Sequence, residues 1–376
     1  MSKLFLPTKE QMDVMNENLA KIAKAVGSQV DISTWEGIQK AVRSGIAKDI
    51  LPVGSQLAVN HSVYGTRLFD VVAHDYLKSV HDENAHTMTI QQHDLLPGTQ
   101  FDASEAFYYA EAELPAGTYN FTLATAYNSW AEGTYQFTLT KPVPKGGQLA
   151  ISGYADAAMT ARQVRSYANQ TTTTATESVA ITAGSGGTNL GTFGEGLNHS
   201  HRVSYGSNNY KESAMRQFLN SSAAAGSVWT PQTKFDRPPS WLTSLAGYKN
   251  GLDQDFLAVV GKVVLPCSAN NTYEAPDSSI AKGTKYTLND EFYLASAREI
   301  FNTNWDVADD SKVFPFYEGA GNADRIKYRD GSAAYWWLRT PLSGYADYVR
   351  LVGSDGTMNG SYAIRSYGLA PACTIV

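Results

Sequence analysis

Cysteine is almost absent. Only Cys267 and Cys373 occur in 376 residues, far apart and without a Cys-x-x-Cys spacing, so neither a disulfide framework nor a thiolate zinc site is supported. Both read as ordinary buried thiols. Basic runs are also missing, and a net charge of -6 with 18% charged residues leaves no field for neutralising phosphates, so no nucleic-acid partner is expected. Long apolar runs are missing too. The patch Leu4-Phe5-Leu6 stops at Pro7, far short of a signal-peptide core or a membrane span, so neither a signal peptide nor membrane insertion is expected. There is no Gly-x-Ser-x-Gly elbow, no His-Glu-x-x-His helix and no convincing carboxylate pair, which argues against an enzyme and against any cofactor. Gly184-Ser185-Gly186-Gly187 reads as a flexible junction rather than a phosphate loop, because no Gly-Lys-Ser/Thr follows it.

Metal chemistry has equally little support. The seven histidines include His199-Ser200-His201 and the spaced set His74, His81, His86 and His93. None has Asp, Glu or Cys beside it at metal-motif spacing. Asp306, Asp309, Asp310 and Asp324 offer oxygens, but their spacing is unlike a calcium loop. What the chain has in quantity is tyrosine, 22 residues in an aromatic content of 11%. Tyrosine joins large contact area to few rotatable bonds, which suits recognition surfaces.

The length predicts two or three units. Thr8 with Gln11 forms a capping-box pattern, followed by a heptad seam of Met12, Met15, Leu19, Ile22 and Val26. That helix either packs on its own domain or makes an oligomer contact, for which a trimer is permitted. Ser33 with Glu36 predicts a second helix with Trp35, Ile38, Val42 and Ile46 on one face, and residues 1–51 read as a helical attachment segment. Strands are predicted around Leu68, Val71 and Val72 and around residues 87–90. Gly117-Thr118-Tyr119-Asn120-Phe121-Thr122-Leu123 recurs as Gly133-Thr134-Tyr135-Gln136-Phe137-Thr138-Leu139, which predicts neighbouring strands of a small β unit extending through residues 148–151 and 171–181. Residues 210–220 predict a helix with Met215, Phe218 and Leu219 inward, and residues 297–301 open another. Further strands are predicted at 256–265, 291–294, 336–339, 348–352 and 374–376.

Several segments in this order resemble a C-type-lectin-like domain common in gut bacteriophage and Firmicute proteins. That superfamily includes formylglycine-generating-type folds and the variable proteins of diversity-generating retroelements. The segments are Phe69-Asp70-Val71-Val72, the 213–220 helix, Phe292-Tyr293-Leu294-Ala295-Ser296-Ala297-Arg298-Glu299, Tyr335-Trp336-Trp337-Leu338-Arg339-Thr340-Pro341, Val352-Gly353-Ser354-Asp355-Gly356 and Tyr367-Gly368-Leu369-Ala370-Pro371-Ala372. Members more often carry Arg where this chain has Ala370, which removes any role for a charge there. The resemblance implies an α+β fold with a discontinuous lectin-like domain at residues 52–98 and 196–376, and a β-rich domain inserted at 99–195.

Within the C-terminal part, Trp336, Leu338, Val349, Leu351, Pro371, Cys373 and Ile375 fall at core-like positions, and Ser354-Asp355-Gly356 is a turn signal. Between them lie Ser343, Gly344, Tyr345, Ala346, Tyr348, Arg350, Asn359, Ser361, Tyr362, Ala363 and Arg365, the residue vocabulary of antibody-like paratopes. The small and polar types at 343–347 and 359–363 are also those reached when the adenines of an Asn codon are randomised. Either this is a polar surface without a partner, or it is a ligand-binding surface with Tyr345, Tyr348 and Tyr362 as anchors and Arg350 and Arg365 as polar contacts. The resemblance implies a host cell-surface receptor, protein or glycan, as partner of a phage receptor-binding or retroelement-diversified protein. Such a protein is made in the bacterial cytoplasm and displayed on a virion or released by lysis. A structural virion or decoration protein is the alternative, and a formylglycine-generating-type oxidase is the remote one.

Overall fold

The computed structural model describes residues 30–124, 131–150, 162–169, 172–193, 200–303 and 309–376. The Met12 to Val26 seam, His199 and Asp306 lie outside these residues. The fold is α+β, with many strands and short helices.

Helix α1 (Trp35–Arg43) starts one residue later than the capping pattern predicts. Thr34, extended at φ -119° and ψ 150°, accepts the Gly37 amide through its side chain, and Glu36 pairs with Lys40 one turn on, 2.7 Å away. Ile38, Ala41 and Val42 of α1, Ile46, and Ala47 of α2 (Ala47–Ile50) are buried in the main core. The boundary expected at residue 51 therefore separates nothing among the described residues, because this amphipathic face has no other surface to cover.

One five-stranded sheet contains β1 (Gln56–His61), β2 (Gly65–His74), β3 (Met88–Gln92), β22 (Ala372–Ile375) and β15 (Phe292–Tyr293), in that spatial order and antiparallel throughout. The last strand of the chain is thus interior, and all four of its residues are buried. A second five-stranded sheet runs β20 (Met358–Tyr362), β19 (Tyr348–Val352), β18 (Trp336–Pro341), β21 (Ser366–Leu369) and β4 (Leu96–Gln100), with only the β18–β21 pair parallel. Two hairpins, β13 (Val263–Ser268) with β14 (Lys285–Asp290) and β16 (Lys327–Arg329) with β17 (Ser332–Ala334), flank these sheets.

Between β4 and α3 (Ser200–Tyr205) the chain builds a second hydrophobic core between two four-stranded sheets. One is β10 (Thr172–Val179), β9 (Arg162–Asn169), β8 (Gly147–Ala150) and β5 (Tyr108–Tyr109). The other is β11 (Thr182–Ala183), β7 (Gly133–Leu139), β6 (Gly117–Leu123) and β12 (Thr188–Phe193). The two repeat copies are β6 and β7, and they pair directly from Gly117 opposite Leu139 to Leu123 opposite Gly133. Even their hydrogen bonds repeat: the Tyr119 and Tyr135 hydroxyls each donate, at 2.7 Å, to the carbonyl four residues back, Pro115 and Ala131.

Helix α4 (Ala214–Asn220) is capped by Ser213, with Met215, Phe218 and Leu219 inward as its period predicts. The strand predicted across 256–265 is corrected. Asp253 accepts the Asp255 and Phe256 amides and starts a helix, α5 (Gln254–Val259), and extended backbone begins only at Val263. An apolar run this short does not distinguish the two states, so the cap decides. Helix α6 (Ala297–Phe301) opens on a complete Ser296/Glu299 capping box.

Glu299 also anchors the core. Arg339 on β18 donates to both its oxygens, at 2.6 and 2.9 Å, and then to the carbonyls of Leu294 (2.8 Å) and Pro266 (3.1 Å) and to Ser311 Oγ (3.0 Å). Both side chains are essentially unexposed. Removing one partner of such a pair strands a buried charge, so Arg339→Leu should lower unfolding free energy by roughly 3–5 kcal/mol. Glu36→Gln, at an exposed pair, should leave the urea midpoint unchanged.

Candidate recognition surface

Strand β20 is the edge of the second sheet, and its register with β19 decides which predicted side chains meet. Tyr348 lies opposite Tyr362 and Arg350 opposite Gly360, so Tyr348, Arg350 and Tyr362 share one face. Tyr345, in the loop before β19, is 47% exposed and lies 5.1 Å from the Tyr348 ring. Tyr348 meets Tyr362 edge-on at 4.4 Å, and Tyr362 stacks on Tyr205 of α3 at 3.9 Å with 18° between planes. The four rings form a ladder from solvent to the buried Tyr205, which is 2% exposed.

The remaining expected residues divide. Gly344, Asn359 and Arg365 are exposed, and Ser343, Arg350 and Ser361 are half-buried. Ser361 is opposite Val349 and Asn359 opposite Leu351, which turns them to the other face of β20, where Ser361 Oγ lies 3.1 Å from the Tyr367 hydroxyl. Ala346 and Ala363 are corrections: at 2% and 0% exposure they lie beneath the surface and have no side chain to offer a ligand. Ala363 is stitched in by its backbone, donating to Asp347 and accepting from Phe101.

The loop at 342–348 is held by residues that local sequence reasoning missed. Asn208 Nδ2 donates to the carbonyls of Tyr345 (2.7 Å) and Tyr348 (2.8 Å), and Asn271 Oδ1 accepts the Gly344 amide at 2.7 Å. Gly344, at φ +83°, is where the loop needs a left-handed residue. His201, one helical turn before Tyr205, places Nδ1 3.6 Å from the buried Asp347 carboxylate. These contacts bridge distant parts of the chain, so no motif announces them. A second aromatic group, Tyr335 on Tyr367 (5.5 Å) and Tyr367 on Trp337 (4.9 Å), was not anticipated either.

Among the described residues no group of three or more His, Cys, Asp or Glu is placed to hold a metal. His74 bonds the Leu51 carbonyl, His86 pairs with Asp75 and His93 with Asp70. Asp309 lies beside Arg339, Asp310 pairs with Lys285, and Asp324 accepts the Gly321 amide. Both cysteines are free and buried, and burial pushes the Cys267 thiol up to about 12. No described helix is long and apolar enough to cross a membrane.

Residues 170–376, more than half of the chain, match the family described as a domain of unknown function, DUF6273. The chain belongs to that family. No curated protein and no solved structure matches it. The matched stretch of this DUF6273 protein contains the whole tyrosine ladder and every strand of the second sheet except β4. Its inner rungs are structural as well as presented: Tyr362→Ala should cost ~1–2 kcal/mol in urea unfolding, and Tyr345→Ala, which frees a half-exposed ring, much less.

Proposed function

We propose that this DUF6273 protein is a non-enzymatic binding protein, whose main unit is a C-type-lectin-like domain displaying a variable, tyrosine-rich surface for a host cell-surface receptor of protein or glycan type. It acts as a phage receptor-binding or retroelement-diversified protein, presented on a virion or released from the cell. The observation that carries this reading is the tyrosine ladder. An exposed Tyr345 is backed by Tyr348, Tyr362 and Tyr205 on a sheet edge, a rigid aromatic anchor of the kind that dominates binding energy. The lectin-like assignment is supported by the resemblance segments converging in the core: Phe69 and Val71, Met215 and Phe218, Tyr293 and Leu294, and Trp336 to Arg339 are all buried. The absence of enzymatic activity is supported by two deeply buried thiols whose ionisation burial opposes.

A second reading, a structural virion or decoration protein making fixed particle contacts, is favoured by the exposed Tyr328 (46%) and Tyr335 (40%) away from the ladder. Binding of the purified chain to bacterial host cells and to immobilised surface glycans separates the two. The recognition reading predicts saturable binding that Tyr345→Ala weakens by about 2 kcal/mol or more, while Ser361→Ala changes it little. No binding, or binding that Tyr345→Ala leaves intact and Tyr335→Ala abolishes, would favour the structural reading.

A further inference from the structure

Beneath the ladder lies a buried pocket of carboxylates around one guanidinium. Arg202 on α3 lies 2.8 Å from Glu105, 2.8 Å from Glu274 and 3.8 Å from Glu212, with every one of these side chains at most 5% exposed. The pocket is wired to the loop that carries Tyr345. Glu274 Oε1 accepts from Asn270 Nδ2 at 2.8 Å, the same nitrogen donates to Asn208 Oδ1 at 3.1 Å, and Asn208 Nδ2 holds the Tyr345 and Tyr348 carbonyls. A second link leaves the same segment, since Asn271 takes the Gly344 amide. The loop therefore has its shape only while the 270–274 segment keeps its place over the pocket.

We propose that this Glu274–Asn270–Asn208 relay makes residues 342–348 a pH-gated loop, held while the Arg202 pocket carries a proton on Glu274 and loosened when that proton leaves. The proposal rests on the recognition reading only in its consequence, tighter ligand binding at mildly acidic than at alkaline pH.

The electrostatics set the sign. Burial, partly relieved by Arg202, pushes Glu274 up to about 7 from 4.5. A carboxyl raised in the closed state stabilises that state fully below about 4.5, and the stabilisation is lost as pH rises through about 7. The ionised form would put a third carboxylate on a guanidinium that already faces Glu105 and Glu212. Other groups face the same pocket. Burial holds Asp102 and Asp236 well above the carboxylate range, and Tyr273 and Tyr286 are phenols raised by burial. His201 faces Asp347 from the other side of the loop, and protonating it would act with the same sign.

Hydrogen exchange on the full chain, corrected for intrinsic rate and followed at residues 341–349, tests this without any ligand. Between about pH 6 and pH 8.5 exchange there should accelerate roughly ten-fold, with residues 117–123 of the sandwich unchanged. Glu274→Gln should flatten the response, whereas His201→Gln should preserve it. Equal corrected exchange at both pH values in the wild type would overturn the proposal whatever the variants do. So would a response that survives Glu274→Gln or disappears with His201→Gln. Because the readout is loop order, a chain that binds no host surface can still pass, and a chain that binds can still fail.

Discussion

The bidentate Arg339–Glu299 pair is the constraint on which the rest of the main unit depends. Burying two charges costs several kcal/mol per ion and is offset only when geometry and hydrogen bonding are complete. Here completion draws in four separate segments: β18 supplies Arg339, the Ser296/Glu299 cap of α6 supplies the carboxylate, and the ends of β13 and β15 supply the Pro266 and Leu294 carbonyls. Fixing these segments fixes β18 as the central strand of the second sheet. Strands β19 and β20 then extend from it to a free edge, where the aromatic ladder stands. A rigid centre and an adaptable edge are what a binding scaffold needs.

Helix α3 joins the parts. In six residues it places Val203 in the core of the β sandwich, Arg202 in the acidic pocket, and His201 and Tyr205 against the ladder. The sandwich is therefore in mechanical contact with the edge it interrupts in sequence. Its own fold is held by a different device, the tandem Gly-Thr-Tyr repeat, whose copies pair strand to strand and share their threonine contacts, Thr118 to Thr138 and Thr122 to Thr134.

Much of this was legible in the residues. Alternation put Trp336, Leu338, Val349, Leu351, Cys373 and Ile375 in the core, where they are. Ser354-Asp355-Gly356 does turn, because Gly356 takes φ +78° where a Cβ would collide with the Asn322 carbonyl. The failures have physical causes. Residues 254–259 are helical because of a single aspartate cap ahead of an apolar run that fits either state. Ala346 and Ala363 look like loop spacers because a small side chain gives the same local signal exposed or buried. Tyr205, Asn208 and Asn271 support the loop from more than 70 residues away, and no local period carries that information.

The central claim is an edge free to vary on a frame that is not. Deep sequencing of this gene's 3′ end across a natural population tests it most directly. The account predicts substitutions concentrated in the codons for 343–350 and 359–365, sparing Ala346, Ala363, Arg339 and Glu299. Uniform codons across those two stretches, or substitutions as frequent at Trp336–Pro341 as at Tyr345, would contradict it.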